Sequence, residues 1–134
     1  MSVFKEPHTH SDNLNFEEQM KQLLLYRKIV KVEEIDDQTA LITLDNGTKI
    51  KTVGNEGCSG CSSGWYYLQE LNECDNVITN VECVIEEYGD ELSEEKIYKI
   101  FVYAEDNKIN LLSYKGGDNG YYGTGYDVYV EFVE

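Results

Sequence analysis

Residues 29–53 read IVKVEEIDDQTALITLDNGTKIKTV. Val30, Val32 and Ile35 alternate with Lys31 and Glu33, a period of two that predicts a strand over 29–35. Asp36-Asp37-Gln38 supplies a turn, and Thr39–Leu44 repeats the strand pattern. Asp45-Asn46-Gly47-Thr48 is a strong hairpin signal, because Asn-Gly accepts the positive φ angles of a type I′ turn. With Lys49–Val53 as the third run, the stretch predicts an antiparallel meander.

Working outward, residues 14–27 show helical spacing, with Leu14, Phe16, Met20, Leu23 and Leu24 on one face. Acids lie early in that run and Arg27 and Lys28 late, as the helix dipole prefers. Residues 1–13 read as a flexible tail, and 14–134 as one domain: a helix at 14–27 followed by a β domain at 29–134. Beyond the meander, Trp65–Leu71 reads as a possible short second helix, from the spacing of Trp65, Leu68 and Leu71. Strands are expected at 77–85, 97–104, 109–114 and 126–133, with an acidic loop at 86–95 and a hairpin at Glu105-Asp106-Asn107-Lys108. The expected fold class is mainly β (α+β): about seven antiparallel strands in a partly closed barrel or sandwich, with an N-terminal helix.

The 134 residues carry 26 acids against 11 Lys and Arg, a net charge of −15. The excess is uneven. Residues 1–28 hold four bases and four acids, whereas residues 65–134 hold four lysines against sixteen acids, a net of −12. Such a surface repels phosphates and anionic membranes, which disfavours direct nucleic-acid binding and favours a protein partner with a basic surface. No run is long and apolar enough to span a bilayer and no signal peptide is legible, so the expected compartment is the cytoplasm, with reduced cysteines.

Cys58-Ser59-Gly60-Cys61 has the two-residue spacing of a zinc knuckle. A tetrahedral site would also need Cys74 and Cys83, which lie farther on and apart from each other; the alternative is four structural or free thiols and no cofactor. Residues 82–95 place Glu82, Glu86, Glu87, Asp90, Glu91, Glu94 and Glu95 in a run without a base. That run reads as a solvated sheet edge or as an acidic face for a protein partner. Two glycine-rich segments, 54–64 and 116–125, are flanked by aromatic residues. Trp65, Tyr66, Lys115, Asn119, Tyr121, Tyr122 and Tyr126 could stack on a small nucleotide-like ligand and meet its phosphate. His8 and His10 stand far from any cysteine or glycine loop, and no nucleophile elbow or P-loop is present, so no catalytic residue is assigned.

Asp45-Asn46-Gly47-Thr48, Gly54, the Cys loop reaching Trp65, Ile78-Thr79-Asn80-Val81-Glu82 and Asn119-Gly120-Tyr121-Tyr122-Gly123 together resemble a family of small proteins of unknown function from bacteriophages and prophages. The resemblance spans roughly residues 29–130 and leaves the N-terminal helix outside. The family's cysteines are often adjacent, whereas Cys58 and Cys61 are two residues apart. The resemblance implies a phage context and brings no catalytic residues. The expectation is a non-enzymatic accessory protein, plausibly an anti-defence inhibitor of a host protein acting in the bacterial cytosol. The alternative is a binder that sequesters a nucleotide-derived immune signal. Self-association is open on either reading.

Overall fold

The computed structural model of the chain describes residues 8–9, 14–54, 65–88, 95–117 and 126–131. The helix α1 spans Leu14–Leu24. Phe16, Met20 and Leu24, spaced four apart on one face, are almost fully buried. Glu17 in the first turn and Lys21 in the last form an ion pair at 3.5 Å. The helix stops three residues before the expected 27. Leu25 still donates to Lys21 O at 2.9 Å, but Tyr26 turns left-handed (φ 64) and its N–H goes to Ile78 O at 2.8 Å. A left-handed residue directly after the last turn closes a helix, a place usually held by glycine.

Among the described residues nine strands occur: β1 (His8–Thr9), β2 (Ile29–Asp36), β3 (Thr39–Leu44), β4 (Lys49–Gly54), β5 (Trp65–Leu71), β6 (Asn80–Tyr88), β7 (Glu95–Ala104), β8 (Asn107–Gly117) and β9 (Tyr126–Glu131). The meander β2-β3-β4 forms as its alternation predicts. Its second turn differs in type. Only Gly47 has positive φ (87), Gly47 N bonds Leu44 O at 3.0 Å, and Leu44 N bonds Thr48 O at 2.9 Å. This is a type I turn closed by a left-handed glycine rather than type I′. Positive φ at both central residues occurs instead at Glu105 (48) and Asp106 (66), between β7 and β8, without any glycine.

Three expectations need correction. Trp65–Leu71 is a strand, not a helix: seven residues rich in aromatics pair along β8 from Trp65↔Gly117 to Leu71↔Leu112. Aromatic fit to a pleated surface and a full ladder outweigh three apolar residues at helical spacing. The expected acidic loop at 86–95 is strand at both ends, since β6 runs to Tyr88 and β7 starts at Glu95; residues 89–94 lie outside the described residues. Of the expected barrel or sandwich, the barrel does not form. The strands make two antiparallel sheets, ordered β1-β9-β4-β3-β2 and β5-β8-β7-β6. Within the first thirteen residues, His8 and Thr9 pair with Val128 and Asp127.

The two sheets meet through tyrosines. Tyr66, Tyr98 and Tyr114 come from the second sheet and Tyr126 from the first. Tyr114 stacks on Tyr126 at 4.4 Å, while Tyr98 and Phe16 meet Tyr126 edge-on at 6.2 and 6.3 Å. At one edge of this cluster the backbones themselves touch. Tyr114 Oη donates to Gln38 O at 2.9 Å and lies 2.8 Å from Thr52 Oγ1; Gly54 N donates to the same Gln38 O at 2.7 Å, and Leu68 N to Asp37 O at 2.8 Å. Burial pushes the Tyr114 hydroxyl above its ordinary pKa, so it keeps the proton it donates.

Gly54 sits where only a missing side chain fits, because a Cβ there would overlap the Tyr66 carbonyl. Gly54→Ala is therefore expected to destabilise the fold by about 2 kcal/mol or more, read as a lower denaturant midpoint. Tyr26→Gly should act in the opposite sense. It removes left-handed strain at an exposed position, and a gain of about 1 kcal/mol in the same measurement is expected.

Candidate functional site

Strand pairing brings the strand ends that flank the predicted segments together. Gly54, the last residue of β4, pairs with Tyr126, the first of β9. Trp65, the first of β5, pairs with Gly117, the last of β8, and Gly117 also pairs with Glu95, which pairs with Tyr88. The close approach of Gly54 to the Tyr66 carbonyl joins these two sets of strand ends. The two glycine-rich segments and the acidic hairpin thus leave the sheets at a shared end. Distant stretches of sequence converge there because antiparallel strands return to the same rim.

Alternation along β5 sorts the aromatic candidates. Tyr66 and Tyr126 are fully buried in the tyrosine core and present no face to a ligand. Tyr67, which the sequence reading passed over, is exposed and lies opposite exposed Lys115. Its signal was available: once 65–71 is a strand, neighbours in sequence must point to opposite faces. Trp65 belongs to this end by its backbone pairing, whereas Asn119, Tyr121 and Tyr122 lie outside the described residues.

The acidic residues divide in two groups. On the outer face of the second sheet, Glu82 meets Lys108 at 3.1 Å and Glu86 meets Lys99 at 3.1 Å. Lys108 also lies 4.3 Å from the Phe101 ring centre, and its hydrogen bond to Glu82 raises its pKa. These two acids are therefore charge-balanced in place. Glu87 and Glu95 stand farther along the hairpin, opposite Lys96 and Gly117 respectively; Asp90, Glu91 and Glu94 lie outside the described residues.

Of the zinc candidates, Cys58 and Cys61 also lie outside the described residues. Cys74 is buried, with its thiol donating to Asn76 O at 3.7 Å. Cys83 is pushed up to about 12, chiefly by burial and then by the carboxylate of Glu17, which accepts the Cys83 backbone N–H at 3.0 Å. The Cys83 environment favours the protonated thiol, while zinc requires thiolate. Among the described residues no group of three His, Cys, Asp or Glu could hold a metal ion.

A concavity of about 430 Å³ lies elsewhere, on the outer face of the first sheet, lined by Ile35, Asp36, Leu41, Lys49, Lys51 and Val53 among others. Sequence reasoning missed it, although Lys49 and Lys51 alternate on one strand and so share a face. Asp36 at its rim is held below the ordinary carboxylate range, first by the Gln38 backbone N–H at 2.8 Å.

Two antiparallel sheets whose strand ends share a loop-bearing rim, with one N-terminal helix, define a small mainly-β protein. The chain belongs to the family DUF7448, a domain of unknown function, whose model matches residues 22–128. The match starts inside α1, ahead of the meander. No curated protein and no solved structure matches the chain. No described helix is long and apolar enough to cross a membrane.

The Cys83 thiol carries a pH prediction. It ionises near 9 when unfolded and near 12 when folded, so its contribution to stability is complete below pH 9 and is lost as pH rises toward 12. Buried Tyr126 shifts in the same direction. Thermal melts should show a midpoint falling above pH 9, and Cys83→Ala should flatten that fall. In the native protein at pH 8, Cys83 should resist alkylation by iodoacetamide and react only after unfolding.

Proposed function

We propose that the protein is a non-enzymatic, phage-type accessory factor that binds and blocks a host protein with a basic surface, through the rim where the β6–β7 hairpin opens. The observation that carries this reading is the division of the acids. Glu82 and Glu86 are balanced by Lys108 and Lys99, while the hairpin's far part, 87–95, holds five acids and no base. Five acids in nine residues concentrate negative charge, and concentrated charge steers an oppositely charged partner. The exposed Tyr67 beside this rim would add contact area.

A second reading is supported by the convergence of Gly54, Trp65, Gly117 and Tyr126. A small nucleotide-like ligand could be held between the two glycine-rich segments, with Tyr67 stacking and Lys115 meeting phosphate. In that case a cyclic oligonucleotide should raise the melting temperature of the wild-type protein, and Lys115→Glu should abolish the shift.

The leading reading is tested by pull-down from bacterial lysate at low and high salt, followed by binding kinetics on the captured protein. The double variant Glu87→Lys, Glu95→Lys is expected to slow association about tenfold at low salt, with the difference shrinking as salt rises. Glu82→Gln should change association far less. Capture of no partner at either salt, or equal effects of the two variants, would count against the rim as the contact surface.

A further inference from the structure

The four sheet edges are unequally protected. The outer side of β9 carries β1 at Asp127 and Val128. The edge of β5 is tied to the β2–β3 turn by Leu68 N to Asp37 O at 2.8 Å and Gln38 Nε2 to Tyr66 O at 3.2 Å. The edge of β6 meets α1, whose Glu17 takes the Cys83 N–H at 3.0 Å. β2 has such a contact only at its start, where Ile29 N bonds Cys74 O at 3.3 Å. From Val30 to Ile35, no backbone bond to a described residue outside the β2–β3 ladder protects that edge.

Exposed apolar surface gathers at the same edge. Five large apolar side chains are exposed among the described residues, and Val30 (61 %) and Ile35 (57 %) both stand on β2. Tyr26 and Val77 flank its start, in segments joined by Tyr26 N to Ile78 O and Ile78 N to Arg27 O. An open strand edge bearing apolar side chains is a template for another strand.

We infer that the strand fitting this edge is β2 of a second copy, paired antiparallel about a two-fold axis at Val32. In that register Val32 faces the partner's Val32, and Lys31 faces the partner's Glu33. Lys31 and Glu33 share a face and pair at 3.2 Å within one strand. Across the axis each meets a second opposite charge, so four charges alternate in sign around the two valines. Moving the axis to Lys31 or Glu33 sets like charges directly opposite, which disfavours those registers. Val32, half-buried against the core of its own copy, gains cover on its open side. The register with β3 shifts at Val30 and at Ile35, which confines the regular run to 31–34. A short, self-complementary edge closes as a dimer rather than propagating. This inference stands apart from the rim described above and uses none of its residues.

Sedimentation equilibrium of the full chain, from micromolar to about 1 mM at about 0.15 M salt, tests it. The wild type should pass from monomer to dimer over that range. Lys31→Glu and Glu33→Lys should each weaken dimerisation about tenfold, since each replaces two attractive pairs by two repulsive ones. The double variant K31E/E33K should restore the wild-type constant to within about threefold. Circular dichroism confirms that each variant is folded, as expected for exposed or half-exposed positions. A wild type that stays monomeric at every concentration overturns the proposal and leaves the edge to an extended segment of another protein. A dimer indifferent to both single reversals overturns it too, and places the interface on another face.

Discussion

The contact on which the rest depends is the one between Gly54 and the Tyr66 carbonyl, where the end of one sheet meets the beginning of the other with no side chain between them. Around it the β2–β3 turn acts as a clasp. The Gln38 carbonyl accepts from both Gly54 N and Tyr114 Oη, and Asp37 O accepts from Leu68 N. Backbone groups near the seam between the sheets are thereby satisfied, which the interior demands of any buried N–H or carbonyl. Once the clasp is set, Tyr66, Tyr98, Tyr114 and Tyr126 can pack ring against ring behind it.

That core accounts for a feature of composition that otherwise looks like a binding signal. Eleven tyrosines among 134 residues suggest aromatic surfaces for a ligand or partner. Four of them instead form the centre of the molecule. Tyr114 shows how a buried phenol is tolerated: its hydroxyl finds Thr52 and Gln38 O. Among the side chains described near the rim, the exposed aromatic is the sequence neighbour Tyr67, placed outside by strand alternation.

Edge protection is the second organising constraint. Glu17 illustrates it: one carboxylate pairs with Lys21 on its helix and takes a backbone N–H from β6, so α1 seals a sheet edge as well as burying Phe16, Met20 and Leu24. The charges of the second sheet work in the same direction. Glu82–Lys108 and Glu86–Lys99 balance charge on its outer face, while in sequence residues 87–95 carry five of the sixteen acids of 65–134.

By itself the sequence determined the local elements whose signals are short-range: the helix from its four-residue apolar spacing, the meander from strict alternation, and the turn at Gly47 from its need for a left-handed residue. It also determined the charge asymmetry. Tertiary structure decided what depends on pairing between distant stretches. Trp65–Leu71 became a strand because β8 was there to receive it. Tyr66 went inside and Tyr67 outside because that pairing set the face, and Glu82 and Glu86 were neutralised by lysines from other strands. Of the seven candidate ligand residues, burial took Tyr66 and Tyr126 into the core, and strand pairing set Trp65 and Lys115 at one rim. A residue's spacing records its own strand or helix, while its partner across a ladder is chosen by the whole fold.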